Sequence, residues 1–301
     1  MAQAHGFDNT VVIGTETTPG TRASSFNWPG IVESFDPSEN NNTDTRRSVG
    51  VRAPFMLRQG QKEVDGSMTV ALQNARLIAM ALGNVETDGD VHTITPAKAG
   101  DQLPSVTVHN HNSLLNFTRD YVGGKVDTLT ISASAEEAVT VDVDFMFKDV
   151  QDNGNAETVA AELDNYFMFY EGAVTVNGSE LADVSEFEVE IGNGLERRFT
   201  VNQAGRAATR IEEGALEITA SLTLDFTNLD QWDKFKNGEV LEVELSLIDT
   251  ANADHYIKVK LTGGMYDTNE IGVAAEDLQE QQLDVIFTDI EVEAKGTTNL
   301  L

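Results

Sequence analysis

Apolar and polar residues alternate with a period of two through most of this chain. Val139, Val141, Val143, Phe145 and Phe147 share one parity, and Thr140, Asp142, Asp144 and Met146 share the other. Successive strand side chains point to opposite sides, so this predicts a strand with one dry and one wet face. Phe187, Val189 and Ile191 likewise oppose Glu186, Glu188 and Glu190. Leu216, Ile218, Leu222 and Leu224 oppose Glu217, Thr219, Ser221 and Thr223, and Leu241, Val243, Leu245 and Leu247 oppose Glu242, Glu244 and Ser246. Further strands are predicted at Ile31–Phe35, Met68–Leu72, 91–95, 104–109, Val126–Ser132, Tyr256–Leu261 and Leu283–Phe287, with a hairpin turn at Ala135-Glu136-Glu137. Half-buried alternation is the pattern of antiparallel sheets that face water on one side.

Helical spacing is confined to short stretches. Ala75–Leu82 has Asn74 as N-cap and Gly83 beyond its end. Leu229–Lys236 carries an Asn228/Gln231 capping box and an apolar stripe of Leu229, Trp232 and Phe235. Asn155–Leu163 is predicted as a third short helix, capped by Asn155, between two domains.

The second half echoes the first at a spacing of about 154 residues. Ser67-Met68-Thr69-Val70 leads to Asn74 and Gly83, and Ser221-Leu222-Thr223-Leu224 leads to Asn228 and Gly238. The pattern divides the chain into an N-terminal arm (1–30), a first domain (31–150), a connector (151–170) and a second domain (171–301). Residues 36–50 and 192–213 are long polar segments in corresponding places, the kind of loop usually kept for function. The expected fold class is mainly β: two tandem antiparallel β-sandwich or barrel domains, each with a short flanking helix.

Charge changes the picture. The 301 residues hold 50 acidic and 20 basic side chains, a formal charge of −30. A small soluble domain usually carries roughly 2–8 units. Such a chain repels itself unless salt shortens the Debye length to about 3 Å near 1 M. It also lacks the Lys and Arg needed to neutralise DNA phosphates, which argues against tight binding of nucleic acid but not against DNA sliding past. The acid excess with few lysines is the composition of a protein from a saline cell. No apolar run reaches the roughly 20 residues that span a bilayer, and the start has no signal-peptide layout.

Catalytic chemistry is sparse. There is no cysteine, and no P-loop, His-Glu-x-x-His, nucleotide or G-x-S-x-G pattern. His109 and His111 share a strand face, but no third ligand is spaced to join them, so neither a metal nor a cofactor is expected. Gly123-Gly124 and Gly263-Gly264 read as turns. Asn41, Asn116 and Asn177 begin N-x-Ser/Thr acceptors.

Several segments resemble the tail tube proteins of long-tailed viruses. Gly14–Thr21 fits the family's G-x-E-x-x-x-G-T start, and Gly60–Leu72 (GQKEVDGSMTVAL) resembles the strand after a long stacking loop. Gly124–Phe147, Glu171–Glu190 and Gly214–Phe226 resemble the first-domain hairpin and second-domain strands. The resemblance implies rings of six domains whose inner sheets form one β-lined tube, stacked through loops and arms, with the genome passing down the bore. Two domains per chain imply trimeric, pseudo-hexameric rings, stacked helically, with hexamers as the other count. It also implies tail terminator, baseplate and tape measure partners, and a virion tail assembled in the host cytoplasm. With the composition, the resemblance points to a virus of a haloarchaeon.

On this reading Asp142, Asp144, Glu186, Glu188, Glu190 and Glu217 face the lumen and repel phosphates, so DNA passes without specific binding. Arg46, Arg47, Arg52, Arg58, Arg197, Arg198, Arg206 and Arg210 contact neighbouring rings, or else pair within their own subunit. The alternatives are a capsid decoration or tail-tip protein, then a glycan-binding module; an enzyme ranks last.

Overall fold

The structure is a computed structural model that describes residues 3–98, 100–152, 155–201, 205–273, 278–296 and 300–301. The first two residues of the arm and residues 202–204 of the second polar segment lie outside that description. In the first half the strands are β1 (Asn9–Thr15), β2 (Ile31–Asn40), β3 (Asp44–Arg46), β4 (Met56–Arg58) and β5 (Glu63–Ala71). Helix α1 (Arg76–Leu82) follows, then β6 (Gly83–Asp88), β7 (Val91–Pro96), β8 (Val106–Asn112), β9 (Phe117–Ser134), β10 (Thr140–Phe147) and β11 (Asp149–Asp152). The second half has β12 (Gly172–Val176), β13 (Ser179–Glu180), β14 (Val184–Gly192), β15 (Glu196–Arg198), β16 (Arg210–Glu212) and β17 (Glu217–Asp225). Helix α2 (Asp230–Asn237) precedes β18 (Leu241–Ile248), β19 (Tyr256–Ile271), β20 (Glu280–Phe287) and β21 (Asp289–Lys295). The chain is thus mainly β, with antiparallel ladders throughout.

One inner sheet runs through both halves in the order β2-β5-β10-β9-β14-β17-β20-β19. Outer sheets cover it. In the first half these are β1, β8, the start of β9 and β11. In the second they are β12, β18, the start of β19 and β21, extended by β7 and β6. The two long strands belong to an outer sheet at one end and the inner sheet at the other. They bend at Gly123-Gly124 and Gly263-Gly264. Gly123 and Gly263 have φ of 65° and 66°, a region that a side chain resists. A Cβ on Gly124 or Gly264 would stand 2.6 or 2.4 Å from Phe147 or Phe287. These pairs are therefore corners that pass a strand between layers, more than the turns the sequence suggests.

Apart from the β6–β7 hairpin, the main elements of the two halves correspond. A 3-10 turn precedes the first strand of each, at Gly6–Asp8 and Phe169–Glu171. The β2–β5 ladder shifts between Val32 and Ser34, and β14–β17 shifts between Val184 and Glu186. In the inner-sheet parts of β9 and β19, Asp144 faces Thr128 and Asp284 faces Thr268, each beside a bulge. The dry faces meet in one continuous core that includes Val141, Val143, Phe145, Phe147, Phe187, Val189, Leu222 and Leu283. Each such side chain, fully buried, contributes on the order of 1.5–3 kcal/mol relative to exposure.

Four local expectations change. Asn9–Thr15, expected within an extended arm, is a strand paired with β8, with Val12 and Ile13 buried. Strand β2 runs on to Asn40, because pairing with β5 supports the polar Asp36–Asn40 stretch that alternation alone marks as loop. Asn155–Leu163 is not helical. It has no regular structure, with Glu157 on Arg22 at 2.5 Å and Glu162 on Arg76 at 2.6 Å, and Leu163 faces solvent, leaving no apolar stripe to fix a short helix. Both helices start after the expected residue: Asn74 and Asn228 accept the N–H of Arg76 and Asp230 at 3.1 and 2.9 Å. Gly83 and Gly238 close them in the left-handed conformation.

Candidate functional site

The site is the wet face of the inner sheet. Its strands alternate cleanly because every second residue meets the core. Register puts the acidic candidates together. Asp142 lies opposite Thr130, Thr130 opposite Glu190, and Glu190 opposite Thr219. Ser132, Glu188, Ser221 and Asp284 make the next row. Asp36, Ser67, Asp144 and Thr128 make another, continued by Gly192 and Glu217. Asp142, Asp144, Glu186, Glu188, Glu190 and Glu217 are all exposed on this one face.

The carboxylates feel one another across the strands. Partial burial raises the Glu188 carboxyl above its usual range, and Glu190, Glu186, Asp284 and Asp142 push it the same way. Asp144 is raised by burial first, then by Asp127, Asp142 and Asp65. Hydroxyls relieve part of this: Thr69 Oγ1 donates to Asp142 at 2.5 Å, and Thr268 donates to Asp284. Asp36, Asp65 and Asp284 join the face although they were not among the sequence candidates. Alternation within Glu63–Ala71 and Leu283–Phe287 carries the signal for the latter two; Asp36 was hidden by the polar run after Phe35.

Away from Asp65, which Arg197 holds, the face is a field of carboxylates and hydroxyls without an opposing cation among the described residues. It repels polyanions and holds water. Its end differs. Hairpin β15–β16 crosses onto the first half, where Arg197 donates to Val64 O and Asp65 at 2.5 Å. Lys125 Nζ donates to Ile211 O at 3.0 Å and Glu213 at 2.5 Å. Burial alone would raise Glu213, but the hydrogen bonds from Lys125 and the Leu103 N–H hold it below its usual range.

The arginines divide. Arg197 is nearly buried and ties its hairpin to β5, and Arg206 binds Gln59 and Asn41 on either side of the β3–β4 hairpin, so both act within the chain. Arg46 pairs with Asp44 at 2.7 Å and Arg198 with Glu196 at 2.8 Å, each neighbour on its own hairpin. Arg210 pairs with Glu212. Arg47, Arg52 and Arg58 are exposed on or beside β3–β4. His109 and His111 are in the core of the outer sheet, with Nδ1 atoms on Asp120 at 2.6 Å and Thr118 Oγ1 at 2.8 Å.

A family model described as "Phage tail tube protein" matches residues 6–294. Among solved structures, one titled "Cryo-EM structure of the anti-feeding prophage (AFP) baseplate, 6-fold symmetrised" matches 40% of this chain and 89% of that one. Its identity is 12% and its TM-score 0.28, a likeness that carries no argument about fold or function. No curated protein matches the sequence.

Proposed function

The chain belongs to the phage tail tube protein family, and on that premise we propose that it is a structural, non-enzymatic virion protein whose copies close into rings and stack as a tube for viral DNA. One observation carries the reading. Eight inner strands form a continuous sheet through two similar halves, with a dry face, an acidic face and, among the described residues, an open edge at β2 and at β19. An open edge is a liability that closure removes. A closed symmetric ring is the ordinary way for one chain to satisfy a head-to-tail contact. Three copies supply six repeats, giving trimeric, pseudo-hexameric rings; six copies are the other count.

Closure turns the acidic face inward. Asp142, Asp144, Glu186, Glu188, Glu190 and Glu217 then line the lumen and repel phosphates, so DNA slides without specific binding. The exposed Arg46, Arg47, Arg52, Arg58, Arg198 and Arg210 are available to carboxylates of the rings above and below. Tail terminator, baseplate and tape measure proteins are the expected partners, in a virion tail assembled in the host cytoplasm. The acid excess supports a haloarchaeal host.

Electron microscopy of the purified protein in about 1 M salt, where repulsion is screened within about 3 Å, tests the reading. Stacked rings with an open bore are expected. Isolated caps or single trimers would favour a decoration or tail-tip protein instead. Asp142→Lys with Glu188→Lys should slow DNA ejection from assembled particles, and unchanged ejection would sink the electrostatic account.

A further inference from the structure

We infer that the joint between two copies reproduces the joint inside one chain: β19 of one copy pairs with β2 of the next, whose β3–β4 hairpin seats on Met265 and Ile286. This rests on the ring reading above and adds the surfaces and the register.

The internal joint has two parts. In the first, β14 lies antiparallel on β9, with Phe187 opposite Ala133 and Glu190 opposite Thr130. Phe187 and Ala133 are 2% and 5% exposed. In the second, hairpin β15–β16 covers the row Asp65–Met146–Lys125 at the end of the wet face. Ile211, 6% exposed, packs there with Leu103, Leu195 and Met146.

The matching bulges align the repeats, so each part has a counterpart at the open edges. Phe35 stands for Phe187, and Val273 for Ala133. Leu57 stands for Ile211, since each faces the central residue of its small hairpin. Thr219, Ile286 and Met265 form the row that stands for Asp65, Met146 and Lys125. In the single chain Phe35 is already partly packed on the core, but the other apolar counterparts lack cover: Val273 is 82% exposed, Leu57 64%, Ile286 52% and Met265 51%. An Ile–Met pair on a face of carboxylates and hydroxyls is out of place in water. A hairpin carrying exposed Phe55, Met56 and Leu57 is its complement. Where the internal joint clamps the hairpin with Lys125, the outer one offers Met265, and the seat changes from ionic to apolar.

A second copy is the occupant because one chain supplies both halves of the contact but cannot join them itself. Eight strands at about 4.8 Å spacing hold β2 and β19 on the order of 30 Å apart. Transferring the internal register puts Glu270 opposite the next copy's Ser38, and Val273 opposite the next copy's Phe35. Pro37, where β14 has Val189, costs this ladder at most one donor and discourages random pairing of the edge.

The chain has no cysteine, so introduced pairs report cleanly. In rings verified by electron microscopy, Ser38→Cys with Glu270→Cys should oxidise to closed covalent rings. Thr130→Cys with Glu190→Cys, the equivalent internal pair, should bridge within one chain and shows that the pair type is competent. Ser38→Cys with Thr268→Cys, two residues out of register, should not link. Leu57→Asp should cut the fraction of chains in rings at least tenfold with the monomer's melting temperature unchanged, whereas Ile211→Asp should lower that temperature. Rings in which the out-of-register pair links, or in which the internal control bridges and Ser38/Glu270 does not, or in which Leu57→Asp assembles normally, would overturn the inference and leave the tube reading standing. Absence of rings from the unmodified chain at every salt would overturn both.

Discussion

The two halves share an element order but treat their helices in opposite ways. All seven residues of α1 (RLIAMAL) are buried, beneath the β6–β7 hairpin and against β9. In α2 (DQWDKFKN) only Gln231 is buried, and its carbonyl oxygen accepts the Tyr266 hydroxyl at 2.7 Å. The second half has no counterpart of β6–β7 among the described residues. That hairpin pairs through β7 with β21, so the extra cover of the first half is also a strap onto the second. The two halves share one architecture, and the β6–β7 hairpin makes α1 a core element, while α2, without such cover, stays at the surface. The difference shows that a helix's burial is set by what packs around it, and the apolar RLIAMAL and polar DQWDKFKN match those two settings.

The largest expected effect breaks this asymmetry. Ile78 is fully buried in α1, and Ile78→Ala should lose about 2–5 kcal/mol of unfolding free energy in a denaturant titration. Its counterpart Trp232 is half-buried in α2. Trp232→Ala should cost clearly less, about 1 kcal/mol, as expected near the surface. Equal losses would mean that the helices are equally embedded and that the hairpin is not what distinguishes them.

The glycine corners test what the halves have in common. Gly124→Ala and Gly264→Ala each drive a methyl into a phenylalanine ring that the core holds in place. Overpacking of this sort costs about 1–3 kcal/mol. The two variants should lose similar amounts, while Gly178→Ala, with open space around it at φ 74°, should lose less. A large gap between Gly124→Ala and Gly264→Ala would show that the two corners are not equivalent.

Much of the inner sheet is legible in the sequence because an antiparallel strand with one wet face writes its geometry as alternation. In Val139–Phe147 and Phe187–Ile191 the dry and wet positions are read correctly, although β10 begins at Thr140 and β14 spans Val184–Gly192, and the six acidic candidates fall on one face for the same reason. Edge strands are harder. Beyond Phe35, β2 has a partner on only one side and nothing apolar to advertise it. The joint between the halves is not legible either, because pairing of β9 with β14 depends on a corner at Gly123-Gly124 whose direction no local pattern states. A repeated signal was nevertheless present: a glycine pair followed by a core phenylalanine, Gly124 with Phe147 and Gly264 with Phe287. Leu216 shows the opposite failure, since it continues the alternation but lies outside β17, partly in solvent.

The smallest expected effect sharpens the contrast between the acidic face and the clamp at its end. Asp144 and Glu188 have raised values when folded, so between the unfolded and folded values the native chain holds more protons. Stability from these groups therefore falls as pH rises through that window, and above it a constant penalty remains. Glu213 works the other way: its value is lowered, and its contribution is present above the unfolded value and lost as pH falls through the folded one. Removing the first set, with Asp144→Asn and Glu188→Gln, should raise the melting temperature slightly at neutral pH in low salt. The gain should shrink near 1 M salt, where repulsion between exposed charges is screened beyond about 3 Å. It should also vanish in acid, where the native carboxyls are already protonated. Lys125→Met should do the reverse at neutral pH, lowering the melting temperature because Glu213 and Ile211 O lose their donor. If the neutralised face proved less stable than the native one in low salt, the carboxylates would be held by attraction not visible in their arrangement, and self-repulsion would no longer describe the acidic face.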